Sequence, residues 1–255
     1  FARGLAELGV ELISTGGTAA HLREAGLPVT AVADVTGSPE ILDGRVKTLH
    51  PAIHGGLLAD RARPAHLASL AEHGIERIDL AIVNLYPFRR TVADPTAGPA
   101  EIIEMIDIGG PSMVRSAAKN FGGVAVVVDP FDYPPVLDEL RRTGGLVSLE
   151  TRRALARKAF GHTAAYDASI AAWFASQTPE ADDFPPLLTL DLELELTPRY
   201  GENPHQGAAV YRSVGGAGIL GGMTQLQGKE LSWNNLLDAD AARKLVALID
   251  EPAVA

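Results

Sequence analysis

The sequence predicts an α/β fold, on three observations. Short β-branched runs recur along the first two-thirds of the chain, helical patterns lie between them, and glycine turns mark several of the junctions. Strand–helix alternation of this kind builds a largely parallel sheet covered on both faces. With 255 residues and 46% hydrophobic content, the chain is long enough to bury a substantial core in one or two domains.

The elements follow in order. Phe1, Leu5 and Leu8 stand at helical spacing, with no initiating Met and no signal-peptide apolar segment. The chain is therefore expected to start inside a helix, with something upstream. Val10–Ser14 predicts a strand, Thr18–Ala25 a helix with Leu22 and Ala25 on one face, and Pro28–Val32 a second strand. Further strands are expected at Asp79–Leu85 and Val124–Val128, and helices over Pro64–Glu72, Pro99–Ile106, Pro111–Asn120 and Tyr133–Arg142. The uninterrupted VAVVV of Val124–Val128 suits a strand buried on both sides. A long helix spans Leu149–Ser176, and the acidic, proline-bearing Gln177–Pro186 has the composition of a linker. Beyond it, Leu188–Leu196 alternates apolar and acidic residues, the pattern of a strand with one wet face. A glycine-rich Gly215–Gly222 and a helix over Asp238–Ile249 complete the chain. Two domains are expected, residues 1–186 and 187–255, the second cut short.

Charge narrows the function classes. The 32 acidic and 22 basic side chains leave a net charge of −10, against a general nucleic-acid or anionic-membrane binder but compatible with a small basic pocket for one phosphate. The absence of cysteine removes disulfides, thiolate nucleophiles and Cys-based metal sites, and fits a reducing cytoplasm. No apolar run approaches the roughly 18 residues of a membrane span.

Several segments can carry chemistry. Ser14-Thr15-Gly16-Gly17-Thr18 follows a strand and opens a helix, where glycines, hydroxyls and the helix N-terminus suit a phosphate; the alternative is a plain glycine turn with Thr18 as N-cap. In Gly44-Arg45-Val46-Lys47-Thr48, an extended backbone would point Arg45 and Lys47 to one side, toward a phosphate or carboxamide oxygen, unless this is simply an exposed basic loop. His50 and His54 invite a metal reading, but no third ligand is evident and Pro51 with Gly55-Gly56 favours a structural turn. Asn84 and Tyr86 project together from the end of the third strand, toward a ligand or beneath a proline turn. Asp107-Ile108-Gly109-Gly110-Pro111 is a second glycine turn before a helix. There Asp107 and Lys119 could face one ligand, a close cation keeping Asp107 ionised and burial lowering the proton affinity of Lys119, or could be a cap and a surface lysine. Arg199-Tyr200-Gly201-Glu202-Asn203-Pro204-His205-Gln206 is dense in hydrogen-bonding groups, an Arg–Tyr pair being able to hold a phosphate and stack on a flat ring.

STGGT, GRVKTLHP-x-IHGG, NLYPF, IDIGGPSMVRSAAKN and RYGENPHQ occur in that order. With them the whole chain resembles the bifunctional purine-biosynthesis family, an IMP cyclohydrolase followed by an AICAR transformylase. The resemblance implies a methylglyoxal-synthase-like domain over 1–186 and, over 187–255, the opening of a cytidine-deaminase-like transformylase. It implies that Ser14, Thr15, Gly16, Gly17 and Thr18 hold a 5′-phosphate, with Arg45, Lys47 and Thr48 around the phosphate and reacting carbonyl. Asn84 and Tyr86 would contact the base and Asp107, Ile108, Gly109 and Gly110 its far side. Lys47, Tyr86, Asp107 and Lys119 match the family's proposed catalytic set, and Arg199 and Tyr200 its AICAR-binding residues. FAICAR cyclisation to IMP would need no cofactor or metal, whereas formyl transfer to AICAR uses 10-formyltetrahydrofolate; family members are homodimers. Two departures stand out: the family's first strand with its SVxDK-like loop and the later KHxNPCG-like segment are absent from this sequence. A portion of a longer polypeptide is the expectation; standing alone, the chain would lack formyl transfer and have impaired cyclisation. A methylglyoxal-synthase-like phosphate lyase and a non-catalytic nucleotide or phosphate sensor are the other readings.

Overall fold

The computed structural model describes residues 1–177, 189–190, 192–214 and 225–254. The chain divides into two compact units, Phe1–Glu180 and Ala181–Ala255. This division, the expected boundary at 186 and most of the expected linker lie among the residues outside that description, as does Gly215–Gly222.

The first unit opens with α1 (Ala2–Glu7), then β1 (Ile13–Ser14), α2 (Gly16–Glu24), β2 (Thr30–Ala31) and α3 (Val32–Thr36). Next come α4 (Pro51–Leu58), α5 (Pro64–Glu72), β3 (Leu80–Ile82), α6 (Phe88–Val92), α7 (Pro99–Glu104), α8 (Gly109–Lys119) and β4 (Ala125–Val127). A 3₁₀ turn at Pro130–Asp132 leads into α9 (Tyr133–Thr143) and the long α10 (Leu149–Ser176). Prolines at the first turn of α4, α5 and α7 fix helical φ where no intrahelical N–H is needed.

The strands pair in parallel, as the strand–helix alternation requires, but in two ladders. β1 lies beside β2 with Ile13 opposite Thr30, and β3 beside β4 with Ala81 opposite Val126. Among the described residues no ladder joins the two pairs, so the expected single sheet is divided. The strands are also shorter than the apolar runs, although ladder-type bonds continue past their ends, as from the Val83 N–H to the Val127 carbonyl at 2.9 Å.

β4 is the core of the unit and is buried on both faces. Val124, Val126 and Val128 pack with Ile53 and Leu57 of α4, Val114 and Ala117 of α8, and Ala156 and Ala159 of α10. Ala125 and Val127 face the other way, onto Leu5, Val136, Leu140 and Leu155. Each buried valine contributes about 1.5–3 kcal/mol, and the alanines let α8 and α10 approach closely. Phe88, Ile102, Tyr166 and Trp173 form a third cluster at the far half of α10. Arg152 ties the α8–β4 and α9–α10 connections together, its guanidinium donating to the carbonyls of Phe121 (2.8 Å), Val147 (2.8 Å) and Gly122 (3.0 Å).

In the second unit β5 (Leu192–Leu196) runs antiparallel to β6 (Val210–Ser213), with an irregularity between Leu194 and Leu196. The wet face is the opposite of the one expected: Leu192 and Leu194 are exposed, while Glu193 is half-buried against Arg212 at 2.7 Å. α11 (Trp233–Val246) starts five residues before the expected Asp238 because Ser232 and Asn235 form a reciprocal capping box.

Candidate active site

Two helix N-termini and one short loop make the site. α2 begins at Gly16, with Thr15 rather than Thr18 as N-cap, and Gly16 sits at φ +55°. α8 begins at Gly109. Lys47 and Thr48, adjacent in sequence, each reach one of these ends. A methyl group placed on Gly16 would lie 3.3 Å from Lys47 Nζ, and one on Gly109 would lie 2.8 Å from Thr48 Oγ1. The GRVKT segment therefore links the two glycine turns into a single cleft. Thr48 is buried, Lys47 half-buried, and the free N–H groups and dipoles of both helices favour an anion there.

Asp107 stands on the α8 side. Its carboxylate accepts the Gly110 N–H at 2.8 Å and the Tyr86 N–H, which joins the NLYPF segment to the second glycine turn. A methyl on Gly110 would collide with Asp107 Oδ2, so glycine is what permits this approach. Burial pushes the Asp107 carboxyl above its usual range, and the two backbone hydrogen bonds only partly oppose it. The expected neighbouring cation is replaced by this desolvation. Tyr86 is half-exposed beside it, its phenol open to a ligand.

Other expected residues are placed differently. Arg45 is not extended alongside Lys47: a turn bridged between Ile41 and Val46 carries it, and its guanidinium pairs with Glu104 of α7. Asn84 donates its amide to the Tyr133 hydroxyl at 2.9 Å rather than standing free beside Tyr86. Ile108 is exposed. Lys119 does not join Lys47. It is ten residues along α8 from Gly109, about 15 Å at helical rise, and exposed in a separate cleft with Arg115, Arg153, Arg157 and Phe160. His50 caps α4, its Nδ1 accepting the Ala52 N–H, and His54 Nδ1 lies 3.0 Å from Ser116 Oγ. No metal-holding group of acids and histidines occurs among the described residues, nor a helix long and apolar enough to cross a membrane. In the second unit, Arg199 lies over the Tyr200 ring at 5.3 Å, and the Trp233 N–H donates to the Tyr200 carbonyl at 3.3 Å.

Two supporting residues escaped the sequence reading. Tyr166 of α10 accepts the Asp107 N–H at 2.8 Å and donates its hydroxyl to the Met105 carbonyl at 2.6 Å, anchoring the turn that presents Asp107. Glu40 accepts a hydrogen bond from the Thr15 hydroxyl and lies 3.1 Å from Lys47 Nζ. A helix-face Tyr some 60 residues downstream gives no local signal, and Glu40 is one acid among many.

Comparison with known proteins places the whole chain. A sequence profile described as "AICARFT/IMPCHase bienzyme" matches residues 117–255, and one described as "MGS-like domain" matches residues 1–112. The chain is 56% identical over 254 residues to the bifunctional purine biosynthesis protein PurH of Halalkalibacterium halodurans, covering 99% of this chain and 49% of that protein. It thus spans about half the length of that curated relative. A crystal structure of ForH superposes with a TM-score of 0.62 at 46% identity, covering 68% of this chain and 90% of that one. The chain belongs to the AICARFT/IMPCHase bienzyme family.

Proposed function

We propose that the first unit cyclises FAICAR to IMP, with residues 1–186 as its domain. The observation that carries this reading is the pair Lys47–Thr48 reaching both helix N-termini, which gives one cleft an anion seat and a catalytic carboxyl. The 5′-phosphate sits on Ser14–Thr18 at the start of α2, and the carboxamide and formamide lie between Lys47, Tyr86 and Asp107. Asn84, Ile108, Gly109 and Gly110 line the base side, and Arg45 stands at the mouth.

The carboxamide nitrogen attacks the formamide carbon, forming the ring C–N bond and a tetrahedral carbinolamine. The carbinolamine then loses its hydroxyl as water. Holding both groups in ring-closing geometry supplies much of the acceleration. Lys47 stabilises the oxyanion as the carbonyl electrons move onto oxygen. Asp107, whose buried carboxyl keeps its proton to higher pH than usual, and Tyr86 move protons between the attacking nitrogen and the departing oxygen. No step is routed through Lys119, which is outside this cleft within one chain.

Cyclisation of FAICAR, followed by product absorbance, tests the reading. Lys47→Ala should lower turnover about 10²-fold or more, and Asp107→Ala should lower it about 10²-fold. Turnover unaffected by either substitution overturns it. Binding of IMP without turnover supports a sensor instead, and phosphate release from dihydroxyacetone phosphate supports a lyase. For the whole bienzyme, a cytoplasmic homodimer, the proposal extends to formyl transfer from 10-formyltetrahydrofolate to AICAR. Residues 187–255 would begin that domain, and Arg199 and Tyr200 would hold the AICAR nucleotide.

A further inference from the structure

The anion seat at the start of α2 already holds an anion supplied by the chain itself. Glu40 accepts the Thr15 hydroxyl hydrogen bond and the Gly16 N–H, and its Oε2 lies 3.1 Å from Lys47 Nζ. Those are donors that a phosphate at STGGT would need. The Thr15 hydrogen bond foremost, then Lys47, hold the Glu40 carboxyl below its usual range, so it is ionised at neutral pH. Glu40 comes from the strap between α3 and α4 and is itself exposed, so no burial fixes it in place. The strap turns back through Leu42 and Asp43, both in the left-handed region at φ 55° and 54°, which side-chain-bearing residues disfavour. It also lies directly on the lysine: a methyl on Gly44 would sit 2.6 Å from Lys47 Cε.

We propose that Glu40 is a built-in competitor for the phosphate seat, a specificity-determining residue that only a ligand carrying a phosphate dianion displaces. The inference rests on the phosphate seat of the function proposed above. Two anions cannot share the single Thr15 O–H and the single Gly16 N–H donor, so binding requires the strap to swing Glu40 outward. A dianion with three acceptor oxygens outcompetes one carboxylate for these donors. A nucleoside without phosphate offers nothing that exchanges for Glu40. In the empty site, Glu40 meanwhile keeps Lys47 neutralised and aimed.

The test is a calorimetric titration of inosine monophosphate and of inosine into the wild-type chain and the Glu40→Gln, Glu40→Ala and Thr15→Val variants. Removing the competing charge should tighten inosine monophosphate binding roughly two- to fivefold in both Glu40 variants, the range expected for an exposed charge contact. Inosine binding should not change. In the cyclisation assay the same variants should lower KM without raising kcat. Inosine monophosphate binding that is unchanged or weaker in both Glu40 variants overturns the competitor. Should Thr15→Val bind inosine monophosphate as well as wild type, the phosphate seat itself falls, and the functional proposal with it. A measurement needing no variant is the ¹³C shift of the Glu40 carboxyl in the wild-type chain. It should move on addition of inosine monophosphate, and a signal that stays put while the ligand binds overturns the inference.

Discussion

Removing one oxygen from α10 should loosen the candidate catalytic carboxyl some 60 residues upstream. In Tyr166→Phe the ring keeps its slot, where it meets Phe88 edge-on at 6.2 Å, so no cavity opens. What disappears is the hydroxyl that accepts from the Asp107 N–H at 2.8 Å and donates to the Met105 carbonyl at 2.6 Å. Tyr166 is only 8% exposed, so water replaces these bonds poorly. Each buried polar group left without a partner costs about 1–3 kcal/mol. With partial relaxation of the turn we expect a total of about 2–3 kcal/mol. For a unit of this size that lowers Tm by roughly 4–10 °C. Freed from its anchor, the Asp107 turn should sample several positions. Cyclisation should then fall about tenfold, the usual cost of losing one positioning contact, while inosine monophosphate binding at Thr15–Gly17 holds. Circular dichroism melts and steady-state cyclisation read the two effects. A variant that melts within about 1 °C of wild type and cyclises at the wild-type rate refutes the anchor.

The remaining expectations concern charge and packing. Burial raises the Asp107 carboxyl above its unfolded value of 3.8, so the folded chain holds this proton to higher pH than the unfolded chain does. Its contribution is therefore favourable below the unfolded value and is lost as pH rises through the folded one. Asp107→Asn should consequently gain stability over wild type in urea at pH 7 and lose that advantage near pH 3; a pH-independent difference would count against the desolvated carboxyl. Gly56→Ala would put a methyl 2.6 Å from the Glu76 carbonyl oxygen and should destabilise by about 1–3 kcal/mol in the same titration. Arg152→Met removes three hydrogen bonds from a charged donor and should cost at least about 3 kcal/mol. By contrast, Arg45→Ala breaks an exposed ion pair with Glu104 and should leave the urea midpoint unchanged.

Much of this fold was legible because its signals are local. Val124–Val128 announced a strand buried on both sides, and its residues divide between two core clusters as that pattern requires. Ser148 bounded α10 at one end, and Gly144 in the left-handed region closed α9. Propensity failed where hydrogen-bond chemistry outweighed apolar spacing. α11 starts early because Ser232 and Asn235 satisfy each other's backbone, which an apolar pattern cannot register. The glycine turns were legible as helix starts, and α2 and α8 do begin at Gly16 and Gly109. For Arg45 the extended alternative fails and the exposed-loop alternative holds, because Leu42 and Asp43 turn the chain. The two lysines do not converge because Lys47 lies against the first turn of α2, whereas Lys119, ten residues along α8 from Gly109, stands beside Arg115 and Arg153.

That failure changes the electrostatic account of the site. Without Lys119, Lys47 is the lysine that the described residues place against a glycine turn, and the starts of α2 and α8 add positive potential there. A helix N-terminus by itself favours an ionised carboxylate, and the Gly110 and Tyr86 N–H groups pull Asp107 the same way, yet burial prevails and its carboxyl is raised. Opposed influences of this kind leave the proton affinity of Asp107 sensitive to whatever fills the cleft. A base stacked over Tyr86 would exclude more water and raise it further, favouring a protonated acid able to deliver hydrogen to the departing hydroxyl. Once water has formed and the product moves away, the backbone donors regain the carboxylate. In the cyclisation proposed above, Asp107 would take a proton from the attacking nitrogen and give one to the departing hydroxyl, provided Gly110 stays glycine so that the carboxylate keeps its place against the α8 backbone.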